Sequence, residues 1–387
     1  MSFTDDNEAP ECVISNEGDT QGVDQYGFMH SEDISHESQE EYLSVLNRRA
    51  MKWSRFLQNT TKLEKNLKVK RYVRKGIPSE HRTLMWMASC GAQQYLEMNH
   101  GYYHSLLKAH HDHKLEESIR TDLHRTFPDN IHFRDTSQLC LKTALYNVLL
   151  AYGHHNKDTG YCQGMNFIAG YLLIITKDEE KSFWLMDALL GRILPDYYTP
   201  AMLGLKADQE VLGELVKSKV PTVWQTITQH NVTWTLLVSR WFICLYIDVL
   251  PMETVLRIWD CLFYEGSKIL FRVALTLIHH HQTLIQQTQN LQDICEQFKQ
   301  ITHGEFVEDS HTFMQVTSQH ILLGCGTLNA LNASEIFTSV IFHVLLLVII
   351  LISSQKIFKE PGRLSMATVT KLREKCRDRI QAQESGH

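Results

Sequence analysis

Proline is scarce in this chain, with 8 in 387 residues, about 2% where average usage is about 5%. None lies between Pro128 and Pro195 or between Pro251 and Pro361, and helices are the elements that tolerate such lengths without a strong turn residue. Glycine is thin as well, at 19 residues. These shortages exclude collagenous and proline-rich linker classes and argue against an all-β chain. No stretch alternates with period two for long enough to make a sheet, and there is no internal repeat. The 9 cysteines run from Cys12 to Cys376 and form no C-x-x-C pair, so neither a disulfide framework nor a zinc ribbon is expected and a reducing, cytoplasmic setting fits. An apolar h-region is missing from the N-terminus, against a secretory signal.

Positive charge is absent up to Asn47, where twelve Asp and Glu stand without Lys or Arg; Arg48 to Lys75 then holds eleven Lys and Arg against Glu64 alone. The net charge of −6 carries no nucleic-acid footprint. What remains is ordinary for a globular protein, 43% hydrophobic and 21% charged, and long enough for one large domain or two modest ones. Residues 1–40 are polar and acidic with few large apolar side chains, a composition that cannot offset the entropy of ordering and reads as a disordered tail. The basic segment 41–75 has Tyr42, Leu46, Trp53, Phe56, Leu57, Leu63 and Leu67 at mostly helical spacings. Such a helix packs on the main domain as a solvated face, or lies on acidic membrane, RNA or a partner.

From Gly76 onward the pattern is helix after helix. Pro78-Ser79-Glu80 opens one containing Leu84, Trp86 and Met87, with Gly91 placed to end it. Ser137 can cap a helix whose Leu141, Ala144, Leu145, Val148, Leu149 and Tyr152 share one face, with Gly153 as its stop. The spacing predicts further helices over 164–176, 179–192, 207–218, 221–230, 235–248, 252–264 and 268–301. The expected class is all-α.

Two elements could carry chemistry. Ile119, Asp122 and Arg125 stand at steps of three before Thr126-Phe127-Pro128, so they share a helical face that Pro128 ends. On spacing alone Arg125 is a solvated arginine favoured by the helix dipole. The second element, Gly160-Tyr161-Cys162-Gln163-Gly164-Met165-Asn166, brackets a polar tip with glycines before an apolar helix. Thr126 to Thr136 reaches up to ~35 Å when extended and a helix of about 15 residues spans ~22 Å, so the chain can bring the two elements together.

Taken with Arg74-Lys75-Gly76-Ile77-Pro78, Arg82, Trp86, Trp241 to Tyr246, Arg257-Ile258-Trp259-Asp260 and Glu265-Gly266, these elements resemble the TBC domain over about residues 70 to 310. That family comprises GTPase-activating proteins for Rab GTPases. The resemblance implies a multi-helix TBC domain over 76–315 with its catalytic core at about 76–270. Arg125 matches the family's arginine finger and Gln163 its glutamine finger, supplied in trans to a GTP-bound Rab. A guanidinium so supplied contributes ~10³–10⁵ in rate, and a neutral amide can orient water without a shifted pKa. Asp122, Tyr161, Gly164, Asn166 and Arg82 are the supporting or Rab-binding candidates. The resemblance implies no cofactor or metal of its own, since GTP and Mg belong to the Rab. The rival reading is a non-catalytic Rab-binding scaffold in membrane trafficking.

Cys162 as a nucleophile lacks a recognisable base and orienting residue. His110-His111-Asp112-His113 and His279-His280-His281 lack one-face ligand spacing, so packed or solvated histidines are expected. Residues 336–352, IFTSVIFHVLLLVIILI, are uncharged and at the lower limit for spanning a bilayer. Lys356, Lys359, Arg363, Lys371 and Arg373 follow them, which by the positive-inside rule would put the large domain outside, against the cysteine usage. The family resemblance implies that residues 316–355 are inserted before a C-terminal helix and tail at 356–387. A membrane anchor and a retained in-frame intron both stand as sources; the second fits because every Val316 codon begins GT and Gln355 can be CAG. Membrane association would come through the Rab, transiently at endomembranes, or through 336–352.

Overall fold

The structure is a computed structural model describing residues 23–29, 36–58, 64–134, 140–319 and 364–385. Its helices follow the apolar periodicity: α1 His36–Gln58, α2 Leu67–Lys75, α3 Ser79–Cys90, α4 Ala92–Met98, α5 Tyr102–Lys108, α6 His113–Leu123, α7 Lys142–His155, α8 Met165–Thr176, α9 Glu179–Asp187, α10 Leu203–Lys219, α11 Pro221–Gln229, α12 Trp234–Ile243, α13 Met252–Glu265, α14 Lys268–His280, α15 Gln282–Gln286, α16 Leu291–Gln300, α17 Glu305–Glu308, α18 Ser310–Gln319 and α19 Met366–Ser385. Among the described residues there is no strand, only the isolated bridge between Val23 and Met29.

Helix α13 runs through the centre, buried at every position from Thr254 to Glu265. Trp86 of α3 lies 6.0 Å from Trp259 and 5.0 Å from Phe263 between ring centroids, and Tyr171 of α8 joins Trp259 at 5.9 Å. Polar motif residues frame this core. Asp260 accepts from the Trp86 indole at 2.8 Å and the Ile77 amide at 3.1 Å, while Arg74 grips Glu265 through two bonds of 2.5 and 2.7 Å. Trp53 of α1 donates to the Gly76 carbonyl at 2.9 Å.

The core extends beyond residues 76–315 at both ends. Trp53, Val69 and Val73 are buried on one side, and Leu364, Val369 and Cys376 on the other. Helix α18 runs through residue 316 to Gln319; residues 320–363, with the apolar stretch 336–352, lie outside the described residues, as does Ser137. No helix among the described residues is long and apolar enough to cross a membrane.

Three expectations are corrected. The span 235–248 stops being helical at Ile243, because Leu245, Tyr246 and Asp248 take positive φ of 50°, 68° and 61°. The span 268–301 is three helices, since the chain turns at His281 and restarts where the Asn290 side chain caps the Asp293 amide at 3.0 Å. Residues 23–29 depart from the reading of 1–40 as disordered tail. There Asp24 accepts from the Tyr26 and Phe28 amides at 2.9 and 2.8 Å, closing a turn, and Tyr26 is buried. Tyr26 and Phe28 pack on the domain, and Asn130 and Ile131 bond the strap's backbone carbonyls.

Candidate functional site

Helix α6 opens with Asp112 accepting from the Lys114 amide at 3.1 Å and closes at Leu123. The backbone then turns tightly, Arg125 and Thr126 donating their amides to Asp122 and Leu123 carbonyls at 3.3 Å each. Phe127 leaves that turn with φ of 49°, a region few non-glycine residues occupy. Packing holds it there. Its ring meets Phe28, Phe133, Phe167 and Tyr171 at centroid distances of 5.4 to 5.5 Å, and Gly170 leaves the room, since a Cβ there would lie 2.7 Å from the ring.

The second turn precedes α8. Gly164, its N-cap, has φ of 104°, which an L side chain rarely adopts. No atom lies within 3.8 Å of where its Cβ would stand, the nearest being Ile243 and Cys244, so the constraint is conformational. Here the aromatic run after Trp241 finds a local purpose: Ile243 sits under Gly164, and its carbonyl accepts from the Tyr198 hydroxyl at 2.6 Å. Gln163 is exposed at the tip.

Two polar links join the turns. Asp122 is 5% exposed, and its Oδ1 is 2.5 Å from Nη2 of Arg125 while Oδ2 accepts from the Tyr161 hydroxyl at 2.5 Å. Asn166, fully buried, donates through Nδ2 to Thr126 Oγ1 at 2.8 Å and accepts from the Gly164 amide through Oδ1 at 3.1 Å. Thr126 passes the link on, donating to the Asp122 carbonyl at 2.7 Å. A buried carboxylate needs such partners. The Arg125 side chain remains 51% exposed, so its guanidinium is oriented from one side and open on the other.

Titration behaviour fits these roles. Burial, with the Asp122 carboxylate, pushes the Tyr161 phenol well above its usual range, so it stays a donor. Burial and Asp122 also raise the Cys162 thiol, the wrong direction for a nucleophilic thiolate.

Of the residues singled out in the sequence, Arg125, Gln163, Asp122, Tyr161, Gly164 and Asn166 come together. Arg82 does not. Its guanidinium is 2% exposed, bonded to Glu253 at 2.7 Å and to the Tyr26 hydroxyl at 2.7 Å, with Asp260 at 3.4 Å. It offers no surface to a partner and holds α3, α13 and the strap together. Sequence reading missed Thr126 and Asn130. The latter donates to the Tyr26 carbonyl at 2.9 Å, beside the amide of Ile131 that donates to Gly27 at 2.9 Å; the pairing of Tyr26 with Phe28 in an acidic tail was the available signal.

The family described as the Rab-GTPase-TBC domain matches residues 79–286. The chain is 62% identical over 367 residues to growth hormone-regulated TBC protein 1-A of Danio rerio, covering 94% of this chain and 92% of that one. It is 56% identical over 365 residues to growth hormone-regulated TBC protein 1 of Homo sapiens, covering 93% and 96%. Among solved structures it resembles the Chlamydomonas flagellar RabGAP TBC domain, with TM-score 0.65, 31% identity, and coverage of 77% of this chain and 99% of that one.

Proposed function

Since the chain belongs to the Rab-GTPase-TBC domain family, we propose that it activates GTP hydrolysis on a Rab by presenting Arg125 and Gln163 in trans to the bound nucleotide. The observation that carries this reading is the Asp122 carboxylate, bonded on one oxygen to Arg125 and on the other to Tyr161 of the glutamine turn. Phosphoryl transfer asks the protein for positioning and charge rather than covalent chemistry. An oriented, solvent-open guanidinium supplies charge where it builds on the phosphate oxygens. The Gln163 amide, both donor and acceptor, orients the attacking water. GTP and Mg²⁺ arrive with the partner, and the working location is the cytoplasm with transient visits to endomembranes.

Single-turnover hydrolysis with a panel of purified GTP-loaded Rabs tests this. On the responsive Rab, Arg125→Ala and Gln163→Ala should each lower the stimulated rate by about 100-fold or more, with folding intact because both side chains are exposed. Unchanged rates in both variants would take the catalysis away from these two residues, and binding of a Rab with no stimulation by the wild type would leave the non-catalytic scaffold as the function.

A further inference from the structure

The basic segment that the fingers do not use surrounds a cavity. Lys65, Asn66, Leu67, Lys70, Tyr264, Glu265 and Lys268 line an open hollow of about 350 Å³, within the size range of small-ligand sites, ~300–1,000 Å³. Its one carboxylate is already neutralised. Glu265 takes Arg74 at 2.5 Å, and Arg272 stands 3.6 Å away, before Lys70 at 3.1 Å and Lys268 at 3.4 Å are counted. Although burial pushes Glu265 up, the bonds and charge of Arg74, with Arg272 and Lys70, bring its carboxyl down to about 2. Burial meanwhile pulls Lys268, 13% exposed, below the usual lysine range, the signature of a cation with more desolvation than countercharge, while Lys65 stands exposed at the rim.

Two helix N-termini open onto the same hollow. Helix α2 starts there at Leu67, behind its cap Asn66, and α14 starts there at Lys268; their positive ends add to the lysine field. Tyr264 fastens the rim, donating its hydroxyl to the Asn66 carbonyl at 3.0 Å and accepting from the Asn66 amide at 2.9 Å. Leu67, one of the apolar residues at helical spacing in the basic segment, is 76% exposed at the mouth. Lys68, Arg71 and Lys75 are exposed on the same helix. A bare leucine inside a cationic collar matches a membrane interface, where the apolar side chain enters the acyl boundary and the cations meet headgroups.

We propose that this hollow is a binding site for the phosphorylated headgroup of an anionic membrane lipid, with Lys65, Lys70 and Lys268 on the phosphate and Leu67 inserted beside it. The site is separate from the Arg125 and Gln163 turns and does not rest on the catalytic reading. A phosphopeptide would satisfy the lysines but leaves the exposed leucine without a role.

Co-sedimentation of the full chain with vesicles tests it, using phosphatidylcholine alone, then doped at equal total charge with phosphatidylserine or with a phosphatidylinositol bisphosphate. Because residues 336–352 could bind any bilayer, the readout is the increment over phosphatidylcholine. The bisphosphate should exceed phosphatidylserine. Lys65→Gln with Lys268→Gln should weaken that increment about 25-fold, roughly fivefold per lysine, and Leu67→Ser, which leaves the net charge unchanged, should weaken it through the lost insertion. Lys219→Gln, an exposed lysine at the end of α10, should leave it unchanged. Equal binding to both anionic lipids, or indifference to the double lysine change, would overturn the site. Soluble inositol trisphosphate binding equally to the wild type and Leu67→Ser, with no vesicle increment, would replace the lipid by a free phosphate and overturn the membrane assignment.

Discussion

Asp122 matters through what its two oxygens do at once. An i,i+3 pair between Asp122 and Arg125 alone would be an ordinary helix contact worth a few tenths of a kcal/mol. The Tyr161 hydroxyl changes its meaning, because the second oxygen ties the same carboxylate to a turn 39 residues further along the chain. Tyr161→Phe isolates this link. It removes a hydrogen bond to a charged acceptor, of order 1.5–3 kcal/mol, and leaves Asp122 half-satisfied without touching either exposed side chain. The stimulated hydrolysis rate should fall about tenfold, well short of the loss in Arg125→Ala, while Rab binding holds. Single-turnover kinetics beside a binding titration would check this; an unchanged rate would mean that the Asp122–Tyr161 bond does not position the turns.

At the scale of elements, the strap at residues 23–29 packs against Phe127, two residues beyond Arg125. Its aromatic ring at Phe28 meets Phe127 edge-on at 5.5 Å, its backbone receives Asn130 and Ile131, and Tyr26 closes onto Glu253 at 2.6 Å. Tyr26→Phe should weaken docking by about 1–2 kcal/mol, since the Arg82–Glu253 pair survives the loss. Ile131, whose amide donates to Gly27, should then exchange hydrogen roughly 5–30-fold faster with little change in the global melting temperature. Protection of Ile131 that does not move would place the strap's anchorage elsewhere. The helices themselves were largely legible: the 252–264 expectation differs by one residue from α13, because its apolar positions and Pro251 mark both face and start. Where the reading failed, the cause was non-local. Nothing in the order of residues after Ile243 says that Leu245 and Tyr246 will take positive φ, since burial of both side chains imposes it. The turns at Arg125 and Gln163 were legible as motifs, whereas spacing left each as a common helix end. Their mutual geometry was invisible because Asp122–Tyr161 and Thr126–Asn166 are tertiary contacts.

For the whole molecule, the question is how α19 belongs to a domain from which residues 320–363 separate it in sequence. It packs along α10 and buries Val369 and Cys376. Its anchor is electrostatic: Arg373 bonds Asp208 through Nε and Nη2 at 2.5 Å each and reaches Ser267 at 2.9 Å, while the Tyr197 hydroxyl donates to the same carboxylate. Asp208 is fully buried, so the pair is stable only while both members are present. Arg373→Ala leaves a buried carboxylate with a single neutral donor and should cost about 3–5 kcal/mol. Asp208→Asn combined with Arg373→Ala removes the stranded charge, so the double variant should lose less than Arg373→Ala alone. Urea midpoints of the two chains decide between this clamp and a helix that merely lies on the surface. A surface helix would lose under ~1 kcal/mol in either variant and show no recovery in the double, and α19 would then be an accessory to the fold rather than part of its core.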